Sequence, residues 1–497
     1  MNLAMLLEMV AEGEPDRVVV GNLRTGVRAA QLLEGARHAA TFMRKSGAEY
    51  VCYFGLNSDV LPLALFGAAM AGIPFVPLNY RATDEQLESA VRRVTPGIVI
   101  ASEDEWPRLR SSGVVDLVSH GQLTDAAREG GEPGDLPFVD PEDIAILLFT
   151  SGTTGEPKAA VLRHRHLVSY IFGSVEFLGC DPSEAQLISV PPYHIAGMSS
   201  VLSSLYGGRR IVYLPAFDPG AWVRTAEDEA ITHAMVVPTM LARILTVLEV
   251  EGGTIPSLRH LSYGGGRMPV ELVERVMQAL PTLDLVNAYG LTETSSTIAV
   301  LTPEDHRTAM ASGDPAVHAR LGSVGRPLDT VEVEVRDADG EPVPAGGRGE
   351  IWVRGEQVAG EYVGQGGLAD DGWFRTRDAG YFDEGGYLFV EGRLDDVIVR
   401  GAENISPGEI EDVLIRHPDV AEVAVIGVPD PEWGEVVAAV VVRRAGTECG
   451  EDELKEWVRR HLRSSKTPAI VEFRGELPYN STGKLLRRVL RQELGEQ

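Results

Sequence analysis

The chain has 497 residues, 44% of them hydrophobic and 24% charged, with a formal net charge of −28. At about 150 residues per domain that length allows roughly two to four domains. The acidity disfavours DNA, RNA or an anionic membrane as partner, because those surfaces are met by basic patches; solubility is its plain reading.

Three cysteines, Cys52, Cys180 and Cys449, lie far apart and form neither a metal spacing nor a disulfide framework, which suits a reducing cytoplasm. The N-terminal MNLAMLLEMVAEGEPD lacks a basic n-region and Glu8 interrupts its apolar run, so no signal peptide is expected and the localisation is read as cytoplasmic.

In chain order, Leu32 to Ser46 reads as an amphipathic helix, Tyr50 to Leu56 as a strand and Ser58 to Ala71 as a helix. The long apolar stretch Leu61 to Leu78 is broken by Pro62, Pro74 and Pro77. It therefore reads as a buried helix followed by the strand GIPFVPLN rather than a membrane span. Asp84 to Val94 looks helical and Gly97 to Ala101 extended, and the alternation resumes from Ile188 to Leu301. Such alternation implies α/β layers. Turn-rich DADGEPVPAGGRG then separates two short strands, Val331 to Val335 and Glu350 to Val353. Beyond residue 394 lie helices at Pro407 to Arg416 and Asp452 to Leu462, with strands at Val420 to Val428, Val436 to Val442 and Ile470 to Phe473. We read 395–497 as a small α+β domain behind a large domain of residues 1–394.

Four stretches carry chemistry. The apolar strand Ile144 to Phe149 runs into Thr150-Ser151-Gly152-Thr153-Thr154-Gly155-Glu156-Pro157-Lys158. Glycines let backbone N–H groups close on an anion, and the hydroxyls and lysine add donors, which is phosphate-binding chemistry. A surface turn is the plainer alternative. The loop is no Walker A motif, since Gly-Lys-Ser/Thr is missing and the chain continues as AAVL, strand-like. In Asn287-Ala288-Tyr289-Gly290-Leu291-Thr292-Glu293-Thr294, Tyr289 offers a ring to a purine, Gly290 a close backbone approach and Thr292 a donor to phosphate. Glu293 suits a hard Mg²⁺. A capped helix start would look the same. Trp373 to Asp378 and Gly392-Arg393-Leu394-Asp395-Asp396 supply an aspartate suited to a ribose diol and an arginine suited to phosphate. Surface salt bridges are the alternative, above all for Asp396. Finally, Lys484 ends Tyr479-Asn480-Ser481-Thr482-Gly483-Lys484, a polar loop from which an ammonium could reach charge developing at a phosphate.

These four motifs, in this order, resemble the adenylate-forming superfamily of acyl-CoA synthetases, aryl-CoA ligases, luciferase-like enzymes and nonribosomal adenylation domains, across nearly the whole chain. The resemblance implies a large N-terminal domain of layered sheets and helices and a mobile lid hinged at Asp395. It also implies ATP contacts at the phosphate loop, Gly265, Gly266, Asn287, Ala288, Tyr289, Gly290, Thr292, Glu293, Asp378, Arg393 and Lys484. Pro191-Pro192-Tyr193-His194-Ile195-Ala196-Gly197 is similar to the family's acyl-pocket motif. His194 matches the histidine of fatty-acid and aryl-CoA ligases, where enzymes for α-amino acids place an aspartate. A core histidine with a backbone partner is the alternative. The small residues Gly264, Ala288, Gly290, Ser295 and Ser296 imply room for an aromatic or otherwise bulky acid, although glycines there also serve the backbone.

Gly401-Ala402-Glu403-Asn404-Ile405 and Trp433 resemble segments that border a pantetheine tunnel and stack on the CoA adenine. Two departures touch that path: Ala402 replaces a glycine, and Ser465-Lys466-Thr467-Pro468 lacks the usual aromatic residue before the lysine. The expected activity is therefore AMP-forming acid–thiol ligation, with a carboxylic acid, ATP, Mg²⁺ and coenzyme A. The alternatives are an amide bond synthetase with an amine acceptor, or an inactive nucleotide- or acyl-binding protein. No nucleic acid or membrane span is expected, and a homodimer is compatible with the sequence.

Overall fold

Eight strands build the first sheet, in the order Gln365–Gly366, Glu361–Tyr362, Lys158–Arg163, Ile144–Thr150, Phe75–Leu78, Tyr50–Phe54, Gly97–Ala101 and Asp116–Ser119. Its central strands are parallel and read as apolar runs because both faces are covered. This computed structural model describes residues 1–114, 116–128, 134–150, 158–251, 255–369, 371–401, 403–479 and 485–495.

A second sheet of nine strands runs Arg326–Pro327, Ser296–Leu301, Asp284–Leu291, His260–Gly264, His233–Val236, Ala185–Ile188, Arg210–Tyr213, Val18–Val20 and Val27–Arg28. Helices Ala4–Gly13, Ala29–Lys45, Val60–Ala71 and Ile195–Gly207 lie between the sheets. One apolar cluster joins Leu6, Phe66 and Phe75 to Ile188 and Ile211. The helix Val60–Ala71 is buried from Leu61 to Ala71, which explains its all-round apolar character without a bilayer. Among the described residues no helix is long and apolar enough to cross a membrane. Leu87 and Val91 of Asp84–Arg93 cover the outer face of the first sheet. Trp222, Leu241 and Val273, from Pro219–Asp228, Pro238–Glu251 and Val270–Ala279, cover that of the second.

Inside the second sheet, Arg210 is 1% exposed. Its Nη1 donates to Glu229 Oε2 at 2.8 Å and to the Gly21 carbonyl at 3.0 Å. A buried cation that loses its carboxylate keeps its desolvation cost. Glu229→Ala is therefore expected to lower unfolding stability by about 2–3 kcal/mol, read from denaturant midpoints.

A four-stranded antiparallel sheet follows, ordered Glu332–Arg336, Gly349–Arg354, Phe374–Phe382 and Leu388–Arg393. It packs on Ile298, Ala299 and Tyr289 of the second sheet. The smaller C-terminal domain has its own sheet, in which Val420–Asp430 and Gly434–Arg443 pair antiparallel and Ile470–Arg474 adds in parallel. Helices Pro407–Leu414 and Glu451–His461 pack on one face, and Arg487–Gly495 on the other. The fold is α/β with a large N-terminal domain and a small α+β C-terminal one, as expected.

Candidate functional site

In open parallel sheets ligands gather beyond the carboxyl ends of the strands, and there described residues of three of the four predicted motifs, Lys158, Tyr289 with Glu293, and Asp378 with Arg393, come together. The strand Asp284–Leu291 extends through Tyr289 and Gly290, so this motif is not a helix start; only a 3₁₀ turn, Thr292–Thr294, follows. The Tyr289 hydroxyl donates to Asp378 Oδ2 at 2.6 Å. Arg393 Nε lies 3.2 Å from Asp378 Oδ1, and its Nη1 donates to the Thr376 carbonyl at 2.6 Å. Asp378 and Arg393 face each other in register on paired strands. Burial, with the Asp378 charge beside it, pushes the Tyr289 phenol well above its ordinary range. It stays protonated and is the donor. Asn287 on the same strand donates to the Ser323 carbonyl at 3.0 Å.

The turn bearing Thr292 and Glu293 is tied down by a segment to which the motifs gave no role. Gln357, 1% exposed, donates from Nε2 to the carbonyls of Thr294 at 3.1 Å and Thr297 at 2.8 Å. The amides of Ala359 and Gly360 donate to the Glu293 carbonyl at 2.8 and 3.0 Å. The Tyr362 hydroxyl donates to Glu293 Oε1, and the Lys158 ammonium lies 5.4 Å from the centre of the Tyr362 ring. The second carboxylate oxygen of Glu293 has no protein donor among the described residues, so the carboxylate fits a hard cation such as Mg²⁺. After Glu293 the chain takes left-handed backbone at Ser295 (φ 58°) and Ser296 (φ 128°).

Thr150 and Lys158 are register partners on antiparallel strands, so AAVL is strand as expected. Ser151, Gly152, Thr153, Thr154 and Gly155, with Glu156 and Pro157, lie outside the described residues, as do Ala402 and Lys484.

His194 precedes the helix Ile195–Gly207. Its Nε2 is enclosed with no hydrogen-bond partner among the described residues, unlike a core histidine satisfied there by a carbonyl. Burial, and then the Arg81 charge, lower its pKa to about 4, so the ring is neutral at physiological pH. The rings of Tyr193 and His194 stand 4.4 Å apart. Ser296 Oγ reaches Ser199 Oγ, on that same helix, at 3.2 Å. Two glycines read as pocket space answer to the backbone instead. A Cβ on Gly264 would sit 2.3 Å from the Ala288 carbonyl oxygen, and one on Gly290 1.8 Å from that of Ser296. Gly265 has φ +75°, whereas Gly266 has only ordinary contacts with Pro238. Ala288, half-buried, remains small without such a demand for glycine, and Ser295 is fully buried with an unpartnered Oγ.

In the C-terminal domain, Gly401 takes φ +62° and donates its amide to the Trp433 carbonyl at 2.7 Å. Trp433 is 45% exposed, with the Arg400 guanidinium 5.1 Å from its ring centre. Lys466 pairs with Glu409, and Arg400 donates to the Ser465 carbonyl at 2.7 Å. Asp395 sits in the 3₁₀ turn Leu394–Asp396, its carbonyl accepting from Arg491 Nη1 at 2.8 Å. Asp396 forms a salt bridge with Arg491 at 3.3 Å, the plainer role foreseen for it. Between the domains, Arg267 pairs with Asp412 across Gly408. His417, Asp419 and Cys449 come within 4.8 Å of one another. His417 Nδ1 accepts the Asp419 amide at 3.2 Å, a structural turn rather than a free ligand set.

The AMP-binding enzyme family model matches residues 7–363, and that of the AMP-binding enzyme C-terminal domain matches 409–484. The chain is 35% identical to a feruloyl-CoA synthase of Amycolatopsis sp over 495 residues, 98% of this chain and 97% of that one. The amide bond synthetase McbA of Marinactinospora thermotolerans superposes with a TM-score of 0.88 at 28% identity, covering 99% of both chains. The o-succinylbenzoate CoA synthetase MenE of Bacillus subtilis, in complex with the acyl-adenylate intermediate OSB-AMP, does so with a TM-score of 0.84 at 28% identity, covering 98% of this chain and 97% of that one. The sequence motifs, the meeting of their residues at the strand ends and the match over both domains agree: this chain belongs to the AMP-binding enzymes, the adenylate-forming superfamily.

Proposed function

We propose that this enzyme activates a carboxylic acid with ATP to an acyl-adenylate, releasing pyrophosphate, and passes the acyl group to the thiol of coenzyme A, releasing AMP. The observation that carries this reading is the meeting of the Tyr289–Asp378–Arg393 cluster with the Glu293–Tyr362–Lys158 cluster around one short strand-to-turn stretch. Asp378 can hold ribose hydroxyls with Arg393 beside it, and the Tyr289 ring faces the base. Thr292, Lys158 and the phosphate loop with Ser151, Gly152, Thr153, Thr154 and Gly155 hold the phosphates. Lys484 stabilises charge as a carboxylate oxygen attacks the α-phosphorus. Glu293 would hold Mg²⁺, which supplies charge neutralisation on the phosphates. His194, neutral, offers a hydrogen bond at the acid's carboxylate end.

We place the domain boundary at 394/395, with Asp395 as the hinge about which the lid turns between half-reactions. Exposed Trp433 and the hairpin around Gly401 then present the CoA path. For the acid we propose an aromatic or bulky one. Small side chains at Ala288, Ser295, Ser296 and Ser199 support this, as do the names of the feruloyl- and succinylbenzoyl-activating relatives. Ala288→Trp should then weaken use of a benzoate-sized acid at least about tenfold more than use of acetate, by steric exclusion. Equal loss of both, in steady-state kinetics, would overturn the pocket assignment.

The reading is tested by screening pyrophosphate release across aryl, medium-chain and polycyclic acids with and without CoA. Release with at least one acid supports adenylation; none with any acid favours an inactive binding protein. The likeness to McbA favours a second reading, transfer to an amine. AMP release with CoA alone, against release with amine alone, separates the two.

A further inference from the structure

We propose that Tyr362 is a positioning residue for the adenylation step, holding the Glu293 carboxylate and the Lys158 ammonium in one arrangement. The inference rests on the adenylation reading above. Lys158 closes the phosphate-loop motif and Glu293 belongs to a motif 135 residues further along the chain. Tyr362 touches both: its hydroxyl donates to Glu293 Oε1 and its ring lies beneath Lys158. A cation above an aromatic ring is attracted to its negative face, more strongly where water is excluded. A phenol that donates to a carboxylate fixes which way that carboxylate turns.

The rest of the segment 357–362 is built to hold this side chain still. Tyr362 pairs with Ala160 on the strand that begins at Lys158, and the Val363 amide donates to the Ala159 carbonyl at 3.0 Å. One residue earlier, Glu361 forms a two-pronged pair with Arg163, at 3.0 Å to Nε and 2.8 Å to Nη2. Gln357 and the amides of Ala359 and Gly360 grip the turn at Glu293 and just after it. The strap thus fixes the backbone of Glu293, the backbone beside Lys158 and, through Tyr362, the charged ends of both side chains.

Tyr362→Phe keeps the ring under Lys158 and removes only the bond to Glu293. Pyrophosphate release should fall in kcat by about ten- to a hundredfold, the span of one hydrogen bond to a charged group, with KM for ATP nearly unchanged. Tyr362→Ala should in addition raise KM for ATP, because Lys158 loses its ring. In both variants thioester formation from synthetic acyl-AMP and CoA should stay at the wild-type rate. That separates positioning from a merely structural role, in which both half-reactions would fall together. Wild-type pyrophosphate release in Tyr362→Phe, or equal loss in both half-reactions, overturns the inference alone. If the wild-type enzyme itself releases no pyrophosphate with any acid, the adenylation reading falls and this inference with it.

Discussion

Replacing Lys484 with alanine is expected to lower adenylate formation by about 10²–10³-fold, the loss typical of one preorganised donor to a charge that develops in the transition state. The same variant should make thioester from synthetic acyl-AMP at close to the wild-type rate. The reason lies in what each half-reaction asks of a cation. Attack on the α-phosphorus piles negative charge on phosphate oxygens, and a lysine on a mobile lid can meet it there. Attack of a thiol on the acyl carbon displaces AMP and no longer needs that ammonium once the lid has turned. Lys484 lies between Tyr479 and Leu485, which pair as an isolated bridge, and the Tyr479 hydroxyl donates to Glu422 Oε2 at 2.9 Å. Both flanking residues belong to the C-terminal domain, on which the proposal places Lys484. Single-turnover kinetics of the two half-reactions, run separately, check this. Equal losses in both would mean that Lys484 acts throughout or stabilises the lid, and the division of labour would be wrong.

The second large effect is expected at the proposed hinge, in the opposite direction. Asp395→Pro should leave pyrophosphate release within about threefold of wild type and slow thioester formation on the order of 100-fold, about 2.7 kcal/mol of barrier. Asp395 is the middle residue of a 3₁₀ turn, with Leu394 before it in helical backbone. Proline fixes its own φ near −65° and disfavours the helical region for the residue before it. The substitution thus acts on two residues of the segment that joins Arg393, in the proposed nucleotide site, to the first strand of the proposed lid, Ile398–Arg400. Arg491, from the last helix, holds the Asp395 carbonyl and the Asp396 carboxylate, which ties this turn to the C-terminal domain. A variant equally active in both half-reactions would show that no such rotation is needed.

How much of this was legible in the sequence follows from what each residue type announces by itself. The layers were legible because burial on both faces leaves unbroken apolar runs, as at Tyr50–Phe54 and Phe75–Leu78. Asp378 and Arg393 stood out through the chemistry of a diol and a phosphate, and the structure pairs them in register. What the sequence could not show is meaning that arises only across space. Tyr362 lies in GEYVG, a segment with no cluster of donors, and becomes informative only when Glu293 and Lys158 converge on it. Gln357 is equally silent until its amide is seen to span the carbonyls of Thr294 and Thr297. Gly264 and Gly290 show the reverse. A glycine in sequence reads either as free volume or as backbone demand. Only the approach of the Ala288 and Ser296 carbonyls shows that backbone demand holds for both. The capped helix start that was the alternative for NAYGLTET is not formed, because hydroxyl and acidic residues favour a 3₁₀ turn after a strand as readily as a helix start.

The most direct test of the central claim follows one oxygen atom. The acid is supplied with ¹⁸O in its carboxylate, in ordinary water, with ATP, Mg²⁺ and CoA, and the products are weighed by mass spectrometry. If a carboxylate oxygen attacks the α-phosphorus and the acyl–oxygen bond then breaks under the thiol, AMP must carry one ¹⁸O, the thioester the other, and pyrophosphate none. Label in inorganic phosphate with release of ADP, or a thioester formed with unlabelled AMP, would contradict an acyl-adenylate route.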